Sequence, residues 1–598
     1  LSANTTGTEN VALGRFALGS NTTAQYNTAI GTNALFANTT GANNTAVGRG
    51  SLAVNTTAAN NTAMGNASLA VNTTGANNVA IGANALQANT TADQNTAVGV
   101  YALDTNTTGD SNTAIGYAAM DNNTTGANNT AVGHLALDAN TTAANNVAVG
   151  KSALTANTTG ASNTAVGTNS LAANTTAANN TAVGTSALTT NTTGTANTGI
   201  GVSSLAVNTT GDNNTGVGVN SLVANTTGDN NVAMGVSSLD ANTTGDFNVA
   251  IGTAALTSNT TADSNTAVGQ NSMAANTTGT RNSSFGIESL DANTTGSDNT
   301  AFGGFALTTA TTASQNTAVG RSALAATTTG ANNTSVGYLA LATNTTGAEN
   351  TAVGSFTLDA NTTGTLNVAV GSDSLSANTT GDYNAALGNG ALQKTTTADS
   401  NTAVGFRSMF ENLTGHSNVA MGDSALRNNT TGDSNTALGM SALTANTTAD
   451  NNTAVGRFVL QSCTTGASNT GVGVQCLDTL TTGANNSGFG RLAGTAVTSG
   501  ANNTMLGNGA GQEVTTGVRH TLLGDDAAIA LVTGNDCIAI GHGSEMSATD
   551  AASQIAMGTD VTCIANGNFT FGSGTSDSNI SNGATSISAP SDIRLKED

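Results

Sequence analysis

The most reactive side chains in this 598-residue sequence are four thiols, Cys463, Cys476, Cys537 and Cys563, all in the last quarter. None forms a C-x-x-C pair, and only His520 and His542 stand near them in sequence. That spacing does not spell a zinc site, so the thiols read as small buried hydrophobes or as an occasional disulfide. Aspartates recur in T-G-D turns, as Asp212, Asp229, Asp246 and Asp382. A calcium site needs several oxygens converging on one point, so these carboxylates read first as solvated turn residues. The triplet N-T-T matches the glycosylation acceptor pattern many times over. Its strict recurrence is explained equally by corner and ladder positions of a repeat. Tyr26, Tyr101, Tyr117, Tyr338 and Tyr383 are scattered, which suits surface packing and not a sugar platform. Glycan hydrolysis asks for paired carboxylates in an aromatic groove, and the sequence writes neither. No cofactor and no metal ion are expected.

The element that must position all of these is a seventeen-residue unit, roughly N-T-A-V-G-x-x-x-L-x-x-N-T-T-G-x-x. Its anchor glycine recurs from Gly14, Gly31 and Gly48 to Gly541 and Gly558, giving 33 anchors in register without an inserted or deleted residue. A fixed short period is the signature of a solenoid, in which each repeat buries its apolar face against the next.

Each column states a physical demand. The anchor is always glycine, which points to positive φ or to a backbone approach that no Cβ permits. Ten residues on, glycine and alanine share the column, so that corner needs smallness and not a left-handed residue. Before the anchor, Thr or Val, then a small residue, then Val, Ile, Leu, Met or Phe alternate as in a short strand. Four residues after the anchor, from Leu18 to Leu477, stands Leu, or Met at Met120, Met273 and Met409: one apolar plug per coil. Four before the anchor, Asn recurs from Asn10 to Asn503, and a stacked amide there is expected to donate to one copy and accept from the other.

These columns predict an all-β protein, a parallel β-solenoid or β-roll of seventeen-residue coils, each with two or three short strands. Gly, Asn and Thr are poor helix formers, which argues against helices. A single proline, Pro590, fits a backbone whose N–H groups are used in ladders. Each coil is expected to bury about one Val, one Leu and one Ala. So thin a core, with small residues repeated along one face, predicts a closely packed second chain and favours a parallel homotrimer.

With 13 basic against 35 acidic residues, the net charge is −22. Nucleic acid and anionic membrane surfaces are therefore poor partners. No apolar run is long enough to span a bilayer. Leu1 already occupies the leucine position of a repeat, so sequence upstream of it is expected.

N-T-A-V-G or N-V-A-I-G, followed by leucine and N-T-T-G, resembles the β-roll heads of trimeric autotransporter adhesins, although those use a shorter repeat. It looks equally like repeats of phage tail fibres and fibrous bacterial surface proteins. The closing octapeptide, Ser591 to Asp598, resembles the start of the self-cleaving intramolecular chaperone (endosialidase-type) that ends many such fibres. That resemblance implies Ser591 as a nucleophile and Lys596 as its base, acting once, in maturation. A serine hydroxyl needs such a base. Identical repeats specify the register of three chains weakly, which gives a chaperone something to fix.

The expected organisation is a uniform shaft over 1–490, a degenerate solenoid end over 491–572, an exit segment over 573–590 and a chaperone start over 591–598. The expected function is a structural or adhesive extracellular fibre, on a virion tail or a cell surface. Its partners would be itself, as a homotrimer, and a receptor that is a glycan or a surface protein, bound within 491–590. A polysaccharide-depolymerising tail spike and an ice- or surface-binding solenoid with flat Thr arrays are the alternatives.

Overall fold

The computed structural model describes residues 1–574, 576–581 and 583–584. Pro590, Ser591 and Lys596 lie outside the described residues. Two compact units divide the chain, Leu1–Asn299 and the remainder from Thr300. Each is a parallel β-solenoid with seventeen-residue turns, and among the described residues there is no helix.

In the first unit, strands β1 (Val11–Leu13) to β17 (Ser283–Phe285) recur once per coil. Each pairs in parallel with the next, with Ala12 opposite Ala29 and Ala29 opposite Ala46. In the second unit the same pattern runs from β18 (Thr300–Phe302) to β32 (Ile538–Ile540). There β33 (Ile555–Thr559) pairs with β34 (Asn568–Ser573) through a shortened coil that sets Gly558 opposite Gly572. A last strand, β35 (Ser578–Ser581), turns back antiparallel to β34.

One three-residue strand per coil replaces the two or three expected. Left-handed residues break the extended backbone at three further positions, as at Phe16 (φ 64°), Leu18 (φ 48°) and Tyr26 (φ 61°). A left-handed non-glycine residue costs roughly 1–2 kcal/mol, and burying a leucine returns about 1.5–3 kcal/mol. The leucine column is therefore held in place by its own burial. Coil-to-coil hydrogen bonds continue outside the strands: Leu18 N–H donates to Ala34 O at 3.0 Å and Thr22 N–H to Thr39 O at 3.1 Å. Polar backbone thus stays paired although little of it is regular strand.

The anchor glycine meets both expected demands. Gly14 has φ 134°, and a Cβ there would lie 2.6 Å from the Gly31 carbonyl oxygen. The Gly/Ala column is not left-handed; a Cβ at Gly41 would instead run into the Ala58 carbonyl oxygen. Both columns are kept small by the next coil of the same chain. The small-residue case for a second chain therefore falls away.

The core also differs from the expected Val, Leu and Ala. Within the three-residue strands from β2 to β32 only the middle residue is buried, as with Ala29 and Ala46, both fully so. Its neighbours must point outward because strand side chains alternate. The apolar residue before the anchor is therefore on the outer surface, with Leu13 66% and Phe302 54% exposed. What fills the coil is the leucine, small residues such as Ala34 and Ala29, and two fully buried asparagines, Asn21 and Asn27.

Candidate functional site

Two polar ladders run through these interiors. In the column before the strand, the Asn27 backbone N–H donates to Asn10 Oδ1 at 3.0 Å, and Asn27 Nδ2 donates to Gly41 O at 3.0 Å. This column chiefly ties side chain to backbone. In many coils it also carries the expected amide-to-amide contact, as where Asn129 Nδ2 donates to Asn112 Oδ1 at 3.1 Å and Asn503 Nδ2 to Asn486 Oδ1 at 3.0 Å. A second amide ladder runs through the first residue of N-T-T, where Asn38 Nδ2 donates to Asn21 Oδ1 at 3.0 Å and to Gly41 O at 2.9 Å. One carbonyl per coil, here Gly41 O, collects an amide from each column. The buried asparagines of N-T-T are consumed by this ladder, which removes them as glycan acceptors in the folded chain. The following threonine adds a third tie, Thr22 Oγ1 donating to Thr39 O at 3.1 Å.

The T-G-D aspartates are not merely solvated. Asp229 Oδ1 accepts the Asp212 backbone N–H at 2.7 Å, and Asp246 Oδ1 accepts that of Asp229 at 2.7 Å. Each carboxylate caps a backbone N–H of the coil before it, a role that repeat spacing shows only once coils are stacked. No group of His, Cys, Asp and Glu among the described residues could hold a metal ion.

All four cysteines are free and buried, as hydrophobes. Burial pushes the Cys463 thiol up to about 11 and the Cys476 thiol up to about 12. Cys463 takes an asparagine position of the N-T-T ladder and donates to Gly466 O at 3.2 Å, as asparagine would. His520 takes the other asparagine column, and its Nδ1 accepts the Cys537 backbone N–H at 3.2 Å. Burial holds its imidazole below the ordinary histidine value. His520 and Cys537 are thus neighbours through the ladder and carry no nucleophilic arrangement. His542 instead lies on the surface, 3.3 Å from Asp560.

What remains for contact with other molecules is the outside. The strand face of each unit presents an apolar column and, two residues earlier, a Thr or Val column such as Thr28 and Thr45. Both are free of charged residues over all 33 coils. Beyond the N-T-T asparagine, a second threonine column, as at Thr23 and Thr40, is exposed. It is Thr in 31 of 33 coils, while the exposed positions two and three residues later vary freely.

No protein-family model matches this chain, and no curated relative matches it. No helix among the described residues is long and apolar enough to cross a membrane.

Proposed function

We propose that the chain is the shaft of a homotrimeric extracellular fibre, of the phage tail fibre or cell-surface filament kind, carrying a receptor-binding tip within 491–590. The observation that supports this most is the uncharged strand face of each unit, with its unbroken apolar column. Monomers rarely expose long apolar patches, and such patches mark association sites. Copies that each carry −22 would meet with least repulsion along the one strand face that carries no charge. Light scattering on the purified chain tests this: three chains per particle are expected, and a single chain would overturn the trimer. Charged residues at Ile81, Ile115 and Met64 should then dissociate it. One-time cleavage at Ser591, with Lys596 as base, belongs to the same proposal; in the full-length product Ser591→Ala should leave the junction uncut.

A second reading, a solenoid that binds ice or another crystalline surface, is favoured by the exposed threonine column. Its uniformity is not demanded by burial, and parallel strand spacing sets its hydroxyls about 4.8 Å apart. Thermal hysteresis in a freezing assay is expected on this reading, and its absence would discard it.

A further inference from the structure

We propose that Lys394, Phe406, Arg407, Phe410 and Arg427 form a binding site for an acidic polysaccharide on the side of the second unit. Three cations converge on one ring. Arg407 Cζ lies 5.3 Å, Lys394 Nζ 5.4 Å and Arg427 Cζ 6.0 Å from the centre of Phe410. Arg407 also lies 5.1 Å from the centre of Phe406, which is 49% exposed. Only Lys394 has a carboxylate, Glu411 Oε2 at 2.7 Å. The nearby Asp423 accepts the Ser424 hydroxyl at 2.7 Å.

Among the described arginines, two are neutralised by an ion pair. Arg281 pairs with Asp298 at 2.7 Å and Arg519 with Asp536 at 2.5 Å, each partner one coil further on. Among the described residues, Arg407 and Arg427 have no carboxylate within ion-pair reach, and Arg427 Nε is buried without a hydrogen-bond partner. Acidic residues outnumber basic ones almost three to one, and where Arg15 and Arg457 each meet a single ring alone, three cations gather here on one. Stacking on a ring fixes each planar guanidinium and leaves its N–H edge to grip a carboxylate or sulfate in two parallel bonds. Gly390 keeps the approach low, because a Cβ there would already touch Arg407 and Phe410 at 3.4 and 3.5 Å.

A half-exposed phenyl ring beside fixed cations suits a sugar ring bearing an acidic group. Duplex nucleic acid would need a basic stripe along the groove, and this is one patch on an acidic chain. The site lies within one chain and requires neither trimerisation nor the fibre reading.

The test is binding of the full chain to immobilised polygalacturonate (carboxylate) and dextran sulfate (sulfate), with neutral dextran and duplex DNA as controls. Binding to at least one acidic glycan is expected, weakened by added salt. Arg407→Gln with Arg427→Gln should lose about tenfold or more in affinity, since two charge-assisted contacts go. Phe410→Leu, which keeps the bulk and removes the ring, should weaken binding too. Arg321→Gln, an exposed arginine on another coil, should leave it unchanged. The proposal is overturned if neither acidic glycan binds, if the double variant binds like the parent, if Arg321→Gln weakens binding equally, or if DNA binds more tightly. Light scattering on the same samples judges the trimer separately.

Discussion

Asn225 donates through Nδ2 to Asn208 Oδ1 at 2.8 Å, and its own Oδ1 accepts Asn242 Nδ2 at 2.8 Å. This ladder has a direction, visible where it is interrupted. Thr395 follows Asn378 and Cys463 follows Asn446, and both asparagines keep a buried Oδ1 with no partner. An orphaned buried acceptor costs roughly 1–3 kcal/mol. Asn225→Leu is therefore expected to destabilise the first unit by about that much, read by denaturant unfolding. Replacing Asn208, Asn225 and Asn242 together by Leu should cost little more, because only the two ends of the block are orphaned. The chain does this itself with Leu480, Val497, Val514 and Leu531, all fully buried. Thr395→Asn should heal the ladder and stabilise the second unit by about 1 kcal/mol.

The Gly/Ala column carries alanine in ten of its 33 positions, and no two alanines fall in consecutive coils. One methyl group against the next coil's carbonyl is tolerated when the coils on either side are glycine. Gly41 stands between Ala24 and Ala58, whereas Gly211 stands between Gly194 and Gly228. Gly41→Ala should therefore lower the melting temperature more than Gly211→Ala, and equal effects would refute the rule.

Asp104, Asp121 and Asp138 occupy one column in three successive coils of the first unit. Burial, then the Asp121 charge, pushes the Asp104 carboxyl up to about 6. Burial raises Asp121 as well, and burial with the Asp121 charge raises Asp138. A carboxyl with a raised folded value contributes stability that is intact below the unfolded value near 3.8 and is lost as pH rises through about 6. Amide protection in these coils, taken relative to the base-catalysed intrinsic exchange rate, should be greater at pH 5 than at pH 7.5. Asp121→Asn should flatten that dependence and raise stability at neutral pH.

His520 behaves oppositely. Its folded value is depressed, so its contribution is intact above the unfolded value near 6.5 and is lost as pH falls below it. His520→Asn restores the residue found in the same column at Asn503 and earlier coils. It should slow acid-induced exchange around Thr521–Leu523 without changing exchange at pH 8.

Thiolate is the form that alkylates, and burial disfavours it at Cys463 and Cys476. Iodoacetamide at pH 8 should leave both unlabelled in the folded chain and label both in denaturant. Fast native labelling would show that these coils open.

The period, the parallel register and the leucine plug were legible in the sequence, because a solenoid repeats its chemistry at every coil and each column must satisfy its own copy. The direction of each side chain was not. Thr, Ala and Val in a three-residue strand alternate in size, but only the closed coil decides that the alanine faces in and the valine out. It does so because the leucine plug already fills the interior; where that column turns to Gly494 and Gly511, the larger Met505 and Leu522 face in instead. The buried role of the N-T-T asparagine and the backbone capping by Asp229 were hidden for the same reason: their partners are one coil away and depend on stacking. The cluster around Phe410 was beyond sequence reading altogether. Lys394, Arg407 and Arg427 sit at unlike positions of three coils, and only the winding of the chain brings them to one ring.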